Sequence, residues 1–161
     1  MKTVHVEAIR IIDARPERLY AIISDYRVGL PAILPKPPFT NLTVEKGGQG
    51  AGTVIWVSMK FFGKEHRYHL AVSEPEPGHV LVETDIETGK YTRFTFEPLD
   101  GGKRTRLVID SELPAKPGLL GYLGALTVRS FASRLYKKEL HMLADLVAAK
   151  SANSPDRQHL A

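Results

Sequence analysis

The longest pattern of apolar positions in the chain occupies residues 114–150, where apolar side chains recur at helical spacing. No proline follows Pro117 in this segment, so nothing in it forbids a single long helix. The apolar residues form two neighbouring stripes, and a helix with so wide an apolar arc is predicted to be gripped by a concave surface. The first stripe comprises Leu119, Leu123, Leu126, Ser130, Ser133, Leu140, Leu143, Ala144 and Val147, and the second comprises Phe131, Leu135, Met142 and Leu146.

Seven shorter segments alternate between apolar and polar residues and predict β-strands, at residues 3–12, 40–46, 53–62, 64–73, 79–86, 91–98 and 104–113. The short connections among the last six predict mostly antiparallel pairing. A helix that begins at Pro16 and a further helical turn at residues 30–34 are predicted between the first two strands. The order predicts an α+β fold in which a curved seven-stranded antiparallel sheet wraps around a long C-terminal helix, with two short helices between strands 1 and 2.

The alternation also predicts which sheet side chains point inward. The inward set includes Ile55, Val57, Met59, Tyr68, Leu70, Val82, Thr84, Phe94, Phe96 and Ile109. The opposite set is predicted to be solvated and includes Trp56, Arg67, Glu83, Asp85, Arg93, Glu97 and Asp110. The pattern does not settle which side of the first strand faces the core.

Length and composition narrow the class of protein. The 161 residues suit one domain, predicted at residues 1–150, followed by a frayed polar tail at residues 151–161. The chain has no cysteine, which excludes disulfides and thiolate chemistry and is compatible with a cytoplasmic location. The N-terminal residues predict neither a signal peptide nor a transmembrane helix. Because the basic residues behind the net charge of +4 are scattered, we expect no nucleic-acid binding. We also expect no metal and no cofactor, and a monomer or a homodimer.

Several motifs, taken in their order, resemble a known superfamily. They are a strand leading into IDARPERLYAIISDY, the GAGTV entry to the third strand, the SEPEPGHVLVE turn, the FEPLDGGKRTRLVID hairpin and a long C-terminal helix. This set is similar to the helix-grip superfamily (SRPBCC), which includes START lipid-transfer domains, birch-pollen-type plant proteins and bacterial polyketide cyclase/dehydrase proteins. The resemblance implies an apolar cavity between sheet and helix that binds sterols, lipids, hormones or polyketides, with catalysis in only some branches.

Candidate ligand-binding residues follow from the inward strand positions, the proline-rich loop and the long helix. They are Leu30, Ile33, Leu34, Ile55, Val57, Met59, Tyr68, Leu70, Val82, Thr84, Phe94, Phe96, Ile109, Leu123, Leu126, Thr127, Ser130 and Arg134. The loop would act as a lid, as the resemblance implies, with Leu30, Ile33, Leu34 and Phe39 turned onto the ligand. In the helix, the half with Leu140, Leu143 and Val147 is predicted to be gripped, and residues 119–134 are predicted to open the cavity.

The predicted cavity face is nearly free of ionisable groups, so the first hypothesis is a carrier of a small hydrophobic molecule such as a lipid, isoprenoid or polyketide-like aromatic. The second is a polyketide cyclase or dehydratase that uses a cavity acid or base. His66, predicted near the rim, is one candidate, and His69 and Asp110 are others if a bulge or register shift turns them inward. The third is a protein-interaction module with Trp56 as its contact. His66 and His69 point to opposite faces of one strand, so they cannot share a metal ion.

Overall fold

The structure, a computed structural model, describes residues 3–152. Strand β1 (Thr3–Ile12) is followed by the helices α1 (Pro16–Ile23) and α2 (Gly29–Ile33). Six further strands follow: β2 (Phe39–Lys46), β3 (Val54–Phe61), β4 (Lys64–Glu76), β5 (Val80–Asp85), β6 (Tyr91–Leu99) and β7 (Arg104–Pro114). The chain ends its described part in the long helix α3 (Leu119–Ala152). The strands and helices predicted from the sequence are therefore confirmed, with small shifts of their ends.

The strands form one antiparallel sheet in the order β1-β7-β6-β5-β4-β3-β2. Consecutive strands from β2 to β7 are neighbours, so short turns suffice to connect them. The turn between β3 and β4 has positive φ angles at both Phe62 and Gly63, as a two-residue hairpin turn requires. β1 completes the sheet by pairing with β7 along its whole length.

α3 packs on one face of the sheet, which confirms the predicted helix-grip arrangement. Val4, Val6 and Ala8 are buried, so this side of β1 is the one that faces the interior. The main core also takes in α1 and α2, and from α3 it takes Leu140, Leu143 and Val147. The C-terminal half of α3 is thus gripped, as predicted.

The inward face of β5 is the opposite of the one predicted from the sequence. Leu81, Glu83 and Asp85 are buried, whereas Val82 and Thr84 lie on the outer side of the sheet. The prediction that Glu83 and Asp85 are solvated is therefore wrong. Its error was to assign every charged residue of the strand to the outer face.

The register of the neighbouring strands explains this orientation. Glu83 lies opposite Val72 of β4 and opposite Thr92 of β6. Residues directly opposite each other in an antiparallel pair share one face of the sheet, so Glu83 faces inward with both. The pairing is irregular between Ser73 and Glu76, just before the turn into β5, so alternation cannot be carried across that turn by counting.

α3 continues through Ala152, two residues past the predicted helix end. A guanidinium nitrogen of Arg18 donates a hydrogen bond to Ser151 Oγ at 2.8 Å, and another donates to the carbonyl oxygen of Val147 at 3.3 Å. These bonds tie α1 to the end of α3. The rest of the tail predicted to fray, residues 153–161, lies outside the described residues. Within residues 3–152, no helix is both long and apolar enough to span a membrane.

Candidate functional site

A cavity of about 580 Å³, called here the outer cavity, lies between the sheet and the N-terminal half of α3. Its volume is in the range that holds a small molecule. The sheet side of its wall includes Phe39, Met59, Phe61, Tyr68, Leu70 and Tyr91, and α3 contributes Leu120, Gly124, Ala125, Val128, Phe131 and Leu135. The wall is predominantly apolar, and the exposed side chains of Lys90, Glu112 and Lys116 border it as well.

Two glycines near the start of α3 shape this wall for different reasons. A Cβ atom on Gly124 would meet no atom within 4 Å, so the missing side chain leaves space in the outer cavity. A Cβ atom on Gly121 would lie 2.3 Å from the carbonyl oxygen of Lys116. Gly121 therefore allows the preceding turn to pack closely on the helix.

A smaller space of about 80 Å³, called here the inner chamber, adjoins the outer cavity. The two spaces share the wall residues Phe39, Met59, Tyr68, Leu70 and Tyr136, so they lie side by side. Its remaining apolar wall consists of Leu30, Leu34, Leu42, Ile55, Val57 and Phe94. Three polar residues complete it, and these are Glu83, Thr92 and Glu139.

Glu83 brings a buried carboxyl group from β5 to the inner chamber. The hydroxyl of Tyr26, itself fully buried, donates a hydrogen bond to Glu83 Oε1 at 2.9 Å. Burial raises the pKa of Glu83 to about 7, and the hydrogen bond from Tyr26 opposes part of that rise. Near neutral pH this carboxyl is therefore divided between its acid and its carboxylate form.

Glu139 brings a second carboxyl group from α3. It is only 5% exposed, and it has no hydrogen-bond partner among residues 3–152. No fully enclosed side-chain oxygen in the described part of the chain lacks a partner, so the Glu139 carboxyl opens onto the chamber that it lines. Burial, and then the negative charge of Glu83, raise the pKa of Glu139 well above its ordinary value.

A row of hydroxyl groups joins the inner chamber to the outer cavity. The hydroxyls of Tyr136 and Ser111 are hydrogen-bonded, and Ser111 Oγ lies 3.4 Å from Thr92 Oγ1. Burial raises the pKa of Tyr136, although its hydrogen bonds with Ser111 and Thr92 lower it in part. Tyr136 is thus a neutral phenol at physiological pH and can donate or accept a hydrogen bond.

Most of the ligand-binding residues predicted on the sheet and the loop face the interior. Met59, Tyr68 and Leu70 line both spaces, and Leu30, Leu34, Ile55, Val57 and Phe94 line the inner chamber. Ile33, Phe96 and Ile109 are buried in the core and line neither space. Val82 and Thr84 lie outside, on the other face of β5. Contact of any of these residues with a ligand stays a prediction.

The helix residues predicted to bind ligand lie away from both spaces. Leu123 is 49% exposed and Thr127 is exposed as well. Leu126, Ser130 and Arg134 border a shallow groove on the outer surface of α3.

The large apolar residues at the start of α3 were the reason that the wrong face of its N-terminal half was predicted to point inward. The inward side there carries small residues, Ala125 and Ala132 among them. Ala125 packs with Val4 and Ala115, where a larger side chain would hold α3 away from β1. The outer cavity does open along this half of the helix, as predicted.

None of the three residues proposed as catalytic borders the site. His66 stacks on Phe61 with 4.0 Å between ring centroids, beside the turn between β3 and β4. His69 lies on the outer face, with Nε2 2.6 Å from Glu45 Oε2. Asp110 also faces outward, where the Arg93 guanidinium donates two hydrogen bonds to its carboxylate, at 2.9 and 2.7 Å. It is only 3% exposed, so the prediction that Asp110 is solvated is wrong.

Sequence reasoning missed Glu83, Glu139 and Tyr136. The sequence did hold a signal for Glu139, which follows Leu135 by four positions and precedes Leu143 by four, on the stripe that is buried. Glu83 had no comparable signal, because its partner Tyr26 is 57 positions away. In the described part of the chain, no group of three His, Asp or Glu side chains could hold a metal ion.

An apolar cavity between a seven-stranded antiparallel sheet and a long helix is typical of a helix-grip fold. Residues 3–148 match the family described as polyketide cyclase/dehydrase and lipid transport, and the chain belongs to this family.

Solved structures share this fold. The fold is similar to that of the KanY protein, solved by NMR in solution, at 25% identity and a TM-score of 0.76, over 92% of this chain and 99% of that one. It is similar to a START superfamily protein from Mycobacterium smegmatis, at 18% identity and a TM-score of 0.70, over 90% and 97% of the two chains. It is also similar to the Zhui aromatase/cyclase from Streptomyces sp. R1128, at 17% identity and a TM-score of 0.65, over 94% of each chain. No curated protein matches the chain.

Proposed function

We propose that this protein binds or transports a small, mostly apolar molecule, such as a lipid, an isoprenoid or a polyketide-like aromatic, between the sheet and α3. The observation that carries the proposal is the outer cavity, whose volume of about 580 Å³ and largely apolar wall fit such a ligand. The family description, which covers lipid transport beside polyketide chemistry, supports it. A cytoplasmic location and a monomeric or homodimeric state stay predictions.

The test is a titration with Nile red, a neutral apolar dye whose fluorescence rises in apolar surroundings. Gly124→Leu places a side chain in the open space beside Gly124, so it should weaken dye binding about tenfold or more. Thr127→Leu adds a similar side chain to the exposed side of the same helix and should leave binding unchanged. Equal binding by the two variants would place the dye outside the outer cavity and contradict the proposal.

A second candidate function is proton transfer on an enolisable ligand, as a cyclase or dehydratase requires. It is favoured by the two buried carboxyls of the inner chamber, since a pKa near 7 suits Glu83 to give or take a proton at neutral pH. The residues expected for this role are thus Glu83 and Glu139, in place of His66, His69 and Asp110.

Deuterium exchange into the methylene group of benzoylacetone, an apolar β-diketone, tests this candidate by proton NMR. The protein should speed exchange over buffer, Glu83→Gln should abolish the gain, and Glu97→Gln on the outer face of β6 should retain it. Exchange no faster than in buffer would reject acid–base chemistry on such ligands. The interaction-module hypothesis gains no support, because the Trp56 ring already packs against His69 and Arg67 of its own sheet.

A further inference from the structure

The inner chamber has the chemistry of a site for a polar head group. Its volume of about 80 Å³ is several times what one water molecule needs, so a group of a few atoms fits there. It lies next to the apolar outer cavity, with which it shares five wall residues. The pair of spaces therefore suits an amphipathic ligand with one small polar end.

The charges around the chamber select which polar end it takes. Two carboxyls line it, and no lysine, arginine or histidine is among the described residues of its wall. An anionic head, such as a carboxylate or a phosphate, would meet two carboxyl groups there and no positive charge to offset its own. A head that donates hydrogen bonds would meet acceptors instead.

Glu139 supplies the acceptor that lacks a partner. The Glu83 carboxyl already accepts a hydrogen bond from Tyr26, whereas Glu139, 95% buried, has no partner among the described residues and opens onto the chamber. Its oxygens face the chamber, where a hydrogen-bond donor of the ligand can take the place of water as their partner. Glu139, unlike Glu83, can therefore accept its hydrogen bond from a ligand.

We infer that the inner chamber binds the hydrogen-bond-donating head of an amphipathic ligand, a hydroxyl or an amine, with Glu139 as its acceptor and the apolar body of the ligand in the outer cavity. The inference rests on the proposed ligand-binding function and adds the ligand's chemical class. Glu83 and Tyr136 line the same chamber, and the largely apolar wall of the outer cavity suits the body of the ligand.

Three ligands with one tail and different heads test the inference: decanol, decylamine and decanoate, titrated by calorimetry near pH 7. Decanol, decylamine or both should bind about tenfold or more tightly than decanoate, the factor expected for one hydrogen bond to a carboxyl that otherwise lacks a partner. Comparison of decanol with decylamine shows whether the chamber prefers a hydroxyl or an amine as the donor. Equal binding of all three heads, or tightest binding of decanoate, would overturn the inference.

Glu139→Gln then tests whether Glu139 causes the preference for hydrogen-bond-donating heads. It replaces the carboxyl with an amide of the same shape, whose NH2 group can donate to decanoate, so the preference over decanoate should shrink about tenfold. Glu97→Gln makes the same charge change on the outer face of β6 and should keep the preference, whereas equal losses in both variants would overturn the assignment. Circular dichroism would show whether Glu139→Gln folds. If it does not fold, the relative affinities of the three ligands for the wild-type protein still test the inference.

Nile red separates this inference from the function on which it rests. Dye binding that Gly124→Leu weakens, together with equal binding of the three heads, would keep the outer cavity as a ligand site and overturn only the role of the chamber. If neither the dye nor any of the three decyl compounds binds, both the proposed function and the role of the chamber are contradicted.

Discussion

The Glu83 carboxyl shows how a single residue can defeat the rule that charged side chains face water. Transfer of a carboxylate from water into a protein interior is costly, and proteins reduce the cost by protonation and hydrogen bonding. Both apply to Glu83, which accepts the Tyr26 hydrogen bond and has its pKa raised to about 7. Its burial should therefore leave a clear signature in how stability depends on pH.

Glu83→Gln should remove a pH dependence from the free energy of unfolding. Below about pH 4.5 Glu83 is protonated in both states, and between pH 4.5 and 7 it ionises only in the unfolded state. Wild-type stability should thus fall as pH rises through this window, by about 3 kcal/mol relative to the glutamine variant. Glu139 remains in the variant, and its raised pKa acts with the same sign.

Urea unfolding at pH 4.5, 6, 7 and 8 measures this difference. The control is Glu97→Gln, since Glu97 is half exposed and paired with Arg106 on the outer face. Its difference from wild type should stay nearly constant with pH. A constant difference for Glu83→Gln as well would mean that the Glu83 carboxyl is solvated in the folded protein.

Gly121 and Gly124 should respond in opposite ways to alanine. Replacing glycine by alanine inside a helix stabilises it by about 1 kcal/mol when the methyl group finds space, as it does at Gly124. At Gly121 the methyl group would clash with the Lys116 carbonyl, and forced packing of this kind costs about 1–3 kcal/mol. Urea unfolding should show a gain for Gly124→Ala and a loss for Gly121→Ala. A similar gain at both positions would contradict the close approach at Gly121.

At the scale of elements, the strands could be predicted because each carries a clear alternation bounded by turn residues. The face of β5 could not, because its outer side holds Val80 and Val82 while its inner side holds Leu81 and two acids. Side-chain polarity then favours the wrong face. Hydrogen bonds to both acids reverse it. The distant Tyr26 donates to Glu83, and the backbone N–H groups of Glu87 and Thr88, in the turn that follows β5, donate to Asp85. The predicted absence of ionisable groups from the cavity failed for the same reason.

In α3 the two halves were predicted correctly as gripped and open, but the inward face of the first half was not. Large side chains at a cavity mouth look like core residues in a sequence, and Leu119, Leu120 and Leu123 are all exposed. The inward side also carries small residues. Ala125 lets β1 pack close to the helix, and Gly124 leaves space in the outer cavity. Helix positions that face a cavity can carry small residues, so apolar periodicity does not identify the inward face there.

Leu143→Ala and Leu123→Ala should differ sharply in their effect on stability. Leu143 is fully buried in the gripped half of α3, and loss of such a leucine side chain costs about 2–5 kcal/mol. Leu123 is 49% exposed in the open half, where a substitution should change the free energy of unfolding by about 0.5 kcal/mol or less. Equal losses in urea unfolding would show that the N-terminal half of the helix is also held in a packed core.

At the scale of the whole molecule, the protein combines a packed end and an open end in one sheet and one helix. Leu140, Leu143 and Val147 belong to the packed end together with α1 and α2. The outer cavity occupies the open end, where the helix lines it with glycine and alanine as well as with Val128, Phe131 and Leu135. A ligand there would add the apolar contacts that the open end lacks, and so would act on local stability more than on the packed end.

Hydrogen exchange should therefore show a regional response to Nile red. Protection should rise in residues 119–136, which line the outer cavity, and in residues 27–40, which carry Leu30, Leu34 and Phe39 to the inner chamber. Residues 140–152 should change little, because they are packed without ligand. Mass spectrometry of peptides from the three regions measures this, with Gly124→Leu as the variant that should show no response. Unchanged protection across residues 27–40 would reject the lid role of that loop, and a gain confined to residues 140–152 would reject the outer cavity as the binding site.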